Sequence, residues 1–344
     1  MTAAVPDMPE TATKGSALLD VSGLNVDVRT ERGWVRLIDD VDLTVRSGET
    51  VGLVGESGSG KTVTSLAIMD LLPANARISG SISLRGREIT TLPRKELDKL
   101  RGVEMGMIFQ EPRRSLNPAF TVGDQVAESV RRHKGASRKE AWSRAVELLD
   151  LVGIPDAQRR ARAYPHEFSG GMCQRVMLAI ALACSPKLLI ADEPTTALDV
   201  TVQRQVLGLI HAVQEEFGVG VLLITHDLGV VAEVCDRAAV MYAGRIVERA
   251  PVLDLFDNPR HPYSAGLLQA MPDPIRHAEQ MGVIPGVVPP PHEFADACRF
   301  APRCPFSEDP TCTSGLIPLR TIGPQHSVRC ARADEIELSE AFYE

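Results

Sequence analysis

The chain has 344 residues, of which 44% are hydrophobic and 24% charged, with a net charge of −8. That composition is ordinary for a globular protein, and the length suggests two domains or one large α/β unit with an appendage. The acidic balance excludes a general nucleic-acid binder, because phosphate affinity needs clustered Lys and Arg, beyond short patches such as Arg131-Arg132-His133-Lys134.

From the N-terminus, residues 1–18 lack both a basic start and an apolar run, and read as a flexible tail rather than a signal peptide. Leu18 to Val28 and Val35 to Val45 alternate apolar and polar residues as strands do. A short apolar strand, Val51 to Val54, leads into a Gly-rich turn and an amphipathic helix from Lys61 to about Leu72. Buried strands are expected again at Val103 to Phe109, Leu188 to Ala191 and Val221 to Thr225. Short apolar runs between helical segments predict a mainly parallel sheet covered on both faces.

Residues 111–179 read as a helical insertion, with Ala141, Ala145, Leu148, Leu149 and Val152 near a 3.6-residue period. From Pro251 onward Pro and Gly become frequent, and IPGVVPPP (Ile284 to Pro291) reads as extended chain, which places a domain boundary near residue 250. The longest apolar stretches, such as Val176 to Cys184, are about half of the ~20 residues needed to span a bilayer. The expected location is therefore the cytoplasm, with any membrane role exercised through partners.

GESGSGKT, residues 55–62, is the strongest motif. Gly55, Gly58 and Gly60 let the backbone curl so that the loop Gly55, Glu56, Ser57, Gly58, Ser59, Gly60 presents N–H groups to phosphate oxygens. The helix that follows adds the positive end of its dipole. Lys61 reaches the terminal phosphates and Thr62 offers a hydroxyl to Mg²⁺. Hydrolysis at such a site needs one acid for the metal and one for water. LLIADEP supplies both at the end of a strand: Asp192 for the Mg²⁺ shell and Glu193 to polarise the attacking water. Between these motifs, Ser169-Gly170-Gly171 opens a helix and forms a second place suited to an anion.

Four of the seven cysteines fall late in the chain, at Cys298, Cys304, Cys312 and Cys330, with five, seven and seventeen residues between them. A reducing compartment disfavours disulfides. A sulfur-only set suits Zn²⁺ or an iron–sulfur cluster, and the spacing leaves both open. Free thiols are the plainest alternative, but a Pro-rich segment with few large apolar residues needs a staple.

YPHEFSGGMCQR, residues 164–175, with the phosphate loop and the ADE carboxylates, resembles the ATP-binding-cassette (ABC) ATPases over about residues 19 to 250. The resemblance implies an α/β fold, a RecA-like P-loop core (19–250) with a helical subdomain (about 111–179), followed by a small Pro- and Cys-rich domain (251–344). It implies that Gln110 is the Q-loop glutamine, which senses Mg²⁺ and water, and that His226 contacts the γ-phosphate. It further implies that Ser169, Gly170, Gly171 and Asp199 reach ATP bound by a second cassette. Two positions depart from the pattern. Val28, with Trp34 nearby, stands where many cassettes stack an aromatic ring on adenine. Cys173, where related chains often carry a basic residue, reads as a packing thiol.

MIFQEPRRSLNP, HPYSAGLLQAMP and the cysteine tail narrow the resemblance to ATPase subunits of bacterial dipeptide, oligopeptide and nickel importers. That family implies ATP and Mg²⁺, a sister ATPase, two integral permeases, an extracytoplasmic substrate-binding protein, and a place on the cytoplasmic face of the cell membrane. It also implies a [4Fe–4S] cluster on the four cysteines, with Zn²⁺ the alternative. Peptides are the expected cargo and nickel the second choice. A soluble, non-transport cassette ATPase and an exporter's ATPase are the rival readings, and the ninety residues beyond the cassette disfavour both.

Overall fold

The computed structural model describes residues 17–196, 198–271 and 283–338. The tail expected over 1–18 lies outside the described residues as far as residue 16, and so do Ala197 of the TALD stretch and Pro272 of the HPY stretch. Among the described residues, no helix is long and apolar enough to cross a membrane.

The strands are β1 (Ala17–Thr30), β2 (Gly33–Arg46), β3 (Thr50–Val54), β4 (Ala76–Leu84), β5 (Arg87–Glu88) and β6 (Met105–Ile108). They continue with β7 (Leu188–Asp192), β8 (Gly220–Thr225), β9 (Arg237–Tyr242), β10 (Arg245–Pro251), β11 (Arg320–Gly323) and β12 (His326–Val328). They form two sheets: an antiparallel one ordered β2-β1-β4-β5 and a larger one ordered β11-β12-β10-β9-β3-β8-β7-β6. In the larger sheet β9, β3, β8, β7 and β6 run parallel. All but β9 are strands whose residues read as continuous apolar runs, and β3, β7 and β8 are buried at every position. Burial on both faces is what removes the alternation that β1 and β2 retain.

The helices Val122–Lys134, Arg138–Leu151 and Gly170–Leu182 share one core with β7 and the helix Val200–Phe217. Ser137 and Glu140 form a reciprocal capping box at the start of Arg138–Leu151, so the sequence fixes that helix's first turn locally. A second core joins the antiparallel sheet to the opposite face of the larger one.

The C-terminal segment continues the main sheet: β12 pairs with β10 through Glu248–Val328 and Arg249–Ser327. Its own core centres on Tyr242, Tyr263 and Phe300, whose ring centroids lie 4.7 to 5.3 Å apart. This packing brings residues 284–304 back against the loop that follows β3.

Candidate nucleotide site

The loop Gly55–Gly60 joins β3 to the helix Lys61–Ile68. Two of its glycines are obligatory on steric grounds. A Cβ on Gly55 would stand 2.1 Å from the Met241 carbonyl oxygen, and one on Gly60, at φ +109°, would stand 2.7 Å from Ile38 Cδ1. Only a residue without a side chain lets the chain turn this close to its neighbours.

Lys61 is buried, and its ammonium donates to the carbonyl oxygens of Gly55 at 2.7 Å and Glu56 at 3.0 Å. Burial pushes its pKa down, against the opposing charges of Glu193, Asp192 and Glu56. Thr62 Oγ1 donates to Asp192 Oδ1 at 3.3 Å, and Ser65 Oγ lies 3.5 Å from Asp192 Oδ2. The hydroxyl and the carboxylate expected to share Mg²⁺ are therefore neighbours across β3 and β7. Burial pushes the Asp192 carboxyl up to about 6, with the adjacent Glu193 charge adding to the rise and the Thr62 hydrogen bond opposing it.

Glu193 follows β7 with φ +46°, a left-handed backbone that non-glycine residues seldom adopt. Its Oε2 accepts from Gln110 Nε2 at 3.1 Å and from Thr196 Oγ1 at 2.7 Å, and its Oε1 lies 3.4 Å from His226 Nδ1. Burial raises its pKa, but the Thr196 and His226 hydrogen bonds and nearby positive charge outweigh it and hold the carboxyl below its ordinary value. Glu193 is thus an ionised acceptor held from three sides, as a residue must be to orient water.

One cavity contains Ser57, Gly58, Gly60, Lys61, Thr62, Gln110 and Glu193. The same cavity is walled by Leu37, Val63, Pro291 and Phe294. Neither Val28 nor Trp34 is in its lining. Val28 pairs with Val35 and Ala76 and packs into the second core, while Trp34 is 47% exposed with the Arg77 guanidinium 4.3 Å from its ring. The sequence leaves open whether either meets a base, and in the structure neither side chain reaches this cavity's lining.

Ser169 caps the helix Gly170–Leu182, its Oγ accepting the Met172 N–H at 3.3 Å. Asp199 caps Val200–Phe217 in the same way through the Val202 N–H at 3.0 Å. Gly171 permits the two helices to approach, since a Cβ there would stand 2.5 Å from Val202 Cγ1. Ser169, Gly170, Gly171 and Asp199 lie together on these two helix starts and outside this chain's own nucleotide cavity. Cys173 is fully buried with its thiol pushed up by burial, which is the environment of a packing thiol.

Two residues at the loop carried no sequence signal that tied them to it. Arg303 forms a two-pronged pair with the Glu56 carboxylate, and the Tyr263 hydroxyl accepts the Glu56 N–H at 2.8 Å. They stand more than two hundred residues away in the chain, so no local spacing connects them.

Cys298, Cys304, Cys312 and Cys330 line a second, small cavity beside His261 and Phe300. None of the four is in a disulfide. Burial pushes Cys298 up, Cys304 up to about 12 and Cys330 up to about 11. Backbone N–H groups of Phe300 and Ala301 bond to Cys298, that of Phe306 to Cys304, and that of Arg332 to Cys330. Among the described residues, no three His, Cys, Asp or Glu side chains are placed so that they could hold a metal ion.

The family model for ABC transporters matches residues 38–196, and that for the oligopeptide/dipeptide transporter C-terminal region matches 247–312. Proteins named "Putative peptide import ATP-binding protein" in Brucella melitensis biotype 1 and Brucella ovis are each 51% identical over 332 residues, covering 93% of this chain and 98% of theirs. Among solved structures, a dimeric ATP-binding cassette in a post-hydrolysis state bound to ADP and Pi is similar with a TM-score of 0.61. It is 27% identical and covers 68% of this chain and 98% of its own. The cbiO1 protein of Clostridium perfringens, part of the transporter complex cbiONQ, is similar with a TM-score of 0.60 at 28% identity, covering 70% of this chain and 91% of its own.

Proposed function

The chain belongs to the peptide-import ATP-binding proteins of the ABC transporter family, and from that membership we propose how its residues divide the work of ATP-driven import. It is the ATPase subunit of a peptide importer, with a RecA-like P-loop core. The observation that carries the mechanism is the shared cavity of the phosphate loop with Gln110 and Glu193.

The loop from Gly55 to Thr62 holds the triphosphate, and Lys61 exchanges the Gly55 and Glu56 carbonyls for phosphate oxygens. Thr62, Asp192 and Gln110 would hold Mg²⁺, which would supply positive charge against the phosphates. Glu193 orients water toward the γ-phosphorus. A P–O bond forms to that water, its proton passing to Glu193 and on to solvent, as the bridge to the β-phosphate breaks, giving ADP and inorganic phosphate. His226 and Thr196 keep Glu193 aimed, and His226 is poised to meet the γ-phosphate. Ser169, Gly170, Gly171 and Asp199 contact ATP held by a sister ATPase, a role supported by their position outside this chain's own cavity.

Binding of ATP between two cassettes favours the closed pair, and hydrolysis removes that preference. The helical segment between β6 and β7 passes the motion to two membrane permeases, and a substrate-binding protein outside the membrane delivers di- or oligopeptides. This assembly places the chain on the cytoplasmic face of the membrane.

A metal on the four late cysteines is supported by their chemistry, by their lining one cavity and by backbone N–H groups at three of the sulfurs, and binding it would draw the sulfurs together. Cys298, Cys304, Cys312 and Cys330 would hold a [4Fe–4S] cluster, or Zn²⁺ as the alternative, as thiolates. Such a group would cross-link the C-terminal segment.

The test is co-purification of the chain with two permeases and a second cassette, followed by ATP hydrolysis with wild-type protein and Glu193→Gln. Retained ATP binding with lost turnover in the variant supports the assignment. Hydrolysis at the wild-type rate in the variant overturns it.

A further inference from the structure

The nucleotide cavity has two sides of different chemistry. Gln110 and Glu193 belong to the β6 and β7 edge of the sheet, on one side of β3. On the other side stand β9 and β10, whose connecting turn at Gly244 packs against Leu37 of β2. Pro291 and Phe294 join Leu37 on that wall, because the short 3₁₀ helix Pro291–Glu293 packs on β2.

Phe294 is held there. The Arg299 guanidinium backs its ring at 4.5 Å, and Arg299 is itself fixed to the Ala243 carbonyl oxygen at 2.6 Å and to Asp39 Oδ2 at 2.5 Å. A triphosphate with its terminal phosphate toward Glu193 and its chain along the loop leaves its base on the Leu37 side. Aromatic faces bind nucleobases by stacking, and apolar neighbours exclude water from that contact. Neither Val28 nor Trp34 lines the cavity.

We propose that Phe294, supported by Arg299 and flanked by Leu37 and Pro291, is the nucleobase-contacting residue of this ATPase, so that the C-terminal segment completes the base side of the ATP site. This rests on the reading of the cavity as an ATP site. It adds that removing the Phe294 ring weakens recognition of the base and not of the phosphates.

The experiment is equilibrium binding of Mg²⁺–ATP and of Mg²⁺–tripolyphosphate, which has no base, to the full chain by calorimetry. Phe294→Ala should weaken ATP about tenfold, the lower range of one base–aromatic stack, and leave tripolyphosphate within about twofold. Phe294→Trp should keep ATP affinity, and Trp34→Ala should change neither ligand. The proposal is overturned if Phe294→Ala leaves ATP affinity intact, if both ligands weaken in parallel, or if Trp34→Ala takes the loss instead. A wild-type chain that binds tripolyphosphate as well as ATP overturns the base site alone. One that binds neither overturns the nucleotide reading itself.

Discussion

Arg303 grips Glu56 from 247 residues further along the chain, with Nη1 2.7 Å from Oε2 and Nη2 3.0 Å from Oε1. Glu56 lies inside the phosphate-binding motif, yet its carboxylate faces the C-terminal segment and is no part of the nucleotide cavity's lining. Arg303 also donates from Nε to the Pro285 carbonyl oxygen at 2.7 Å and immediately precedes Cys304. The segment that bears the cysteines and the loop that bears the phosphates are thereby one mechanical unit.

Replacing Arg303 therefore reaches both. Its side chain is 7% exposed and that of Glu56 27%. Arg303→Met should destabilise the fold by about 2–4 kcal/mol, because a largely desolvated carboxylate loses its partner. ATP affinity should fall as well. Arg303→Lys should recover little, since an ammonium cannot match the two-pronged geometry. Urea denaturation with ATP titration checks this, and full recovery by Lys would argue that charge alone holds the loop.

At Glu193, exchange for Gln keeps the shape and removes the charge. Turnover should drop by about 10²–10⁴, the usual worth of a positioned base, with ATP binding retained. Thr196→Val should cost less, since Gln110 and His226 still hold the carboxylate. Single-turnover hydrolysis separates the two; an equal loss in both variants would shift the base role away from Glu193.

Asp39 supplies a pH test away from the reacting atoms. Its Oδ2 meets Arg245 at 2.7 Å and Arg299 at 2.5 Å, both arginines being 5% exposed. Burial raises its pKa, but the Arg245 and Arg299 charges outweigh that and hold it below the ordinary carboxylate value. A depressed folded pKa means that this stabilisation is complete above the unfolded value near 3.8 and is lost as pH falls through the folded one. Asp39→Asn should be less stable than wild type by about 3–5 kcal/mol at neutral pH, with the gap narrowing below about pH 4. Denaturant melts at pH 7 and pH 3.5 measure it, and a constant gap would exclude a charge effect.

Metal analysis decides the cysteine cavity. Protein purified without oxygen should carry iron and sulfide with visible brown absorbance, and Cys304→Ser should lose both together with stability. Stoichiometric zinc in a colourless protein would select the alternative metal. Four titratable thiols without metal would contradict both.

What could be seen in the sequence depended on whether the partners were close in the chain. The phosphate loop, the Asp192-Glu193 pair and the Ser169 helix start are each contiguous, and their geometry follows from local backbone rules. The parallel strands were legible because burial on both faces leaves an unbroken apolar run. The closure of the C-terminal segment onto the loop was not: Arg303 and Glu56 are 247 residues apart. β12 is three residues long, too short to show alternation. The roles of Val28 and Trp34 stayed open for a related reason, since strand register, set by pairing with Ala76 and Gly33–Val35, decides which way a side chain points.

The most direct measurement of the central claim is ATP-driven peptide uptake into vesicles containing this chain assembled with its permeases, a sister ATPase and a peptide-loaded binding protein. The account predicts uptake that requires ATP and disappears with Lys61→Ala or Glu193→Gln in this chain. Uptake that persists in both variants, or ATP hydrolysis with no peptide movement, would contradict it.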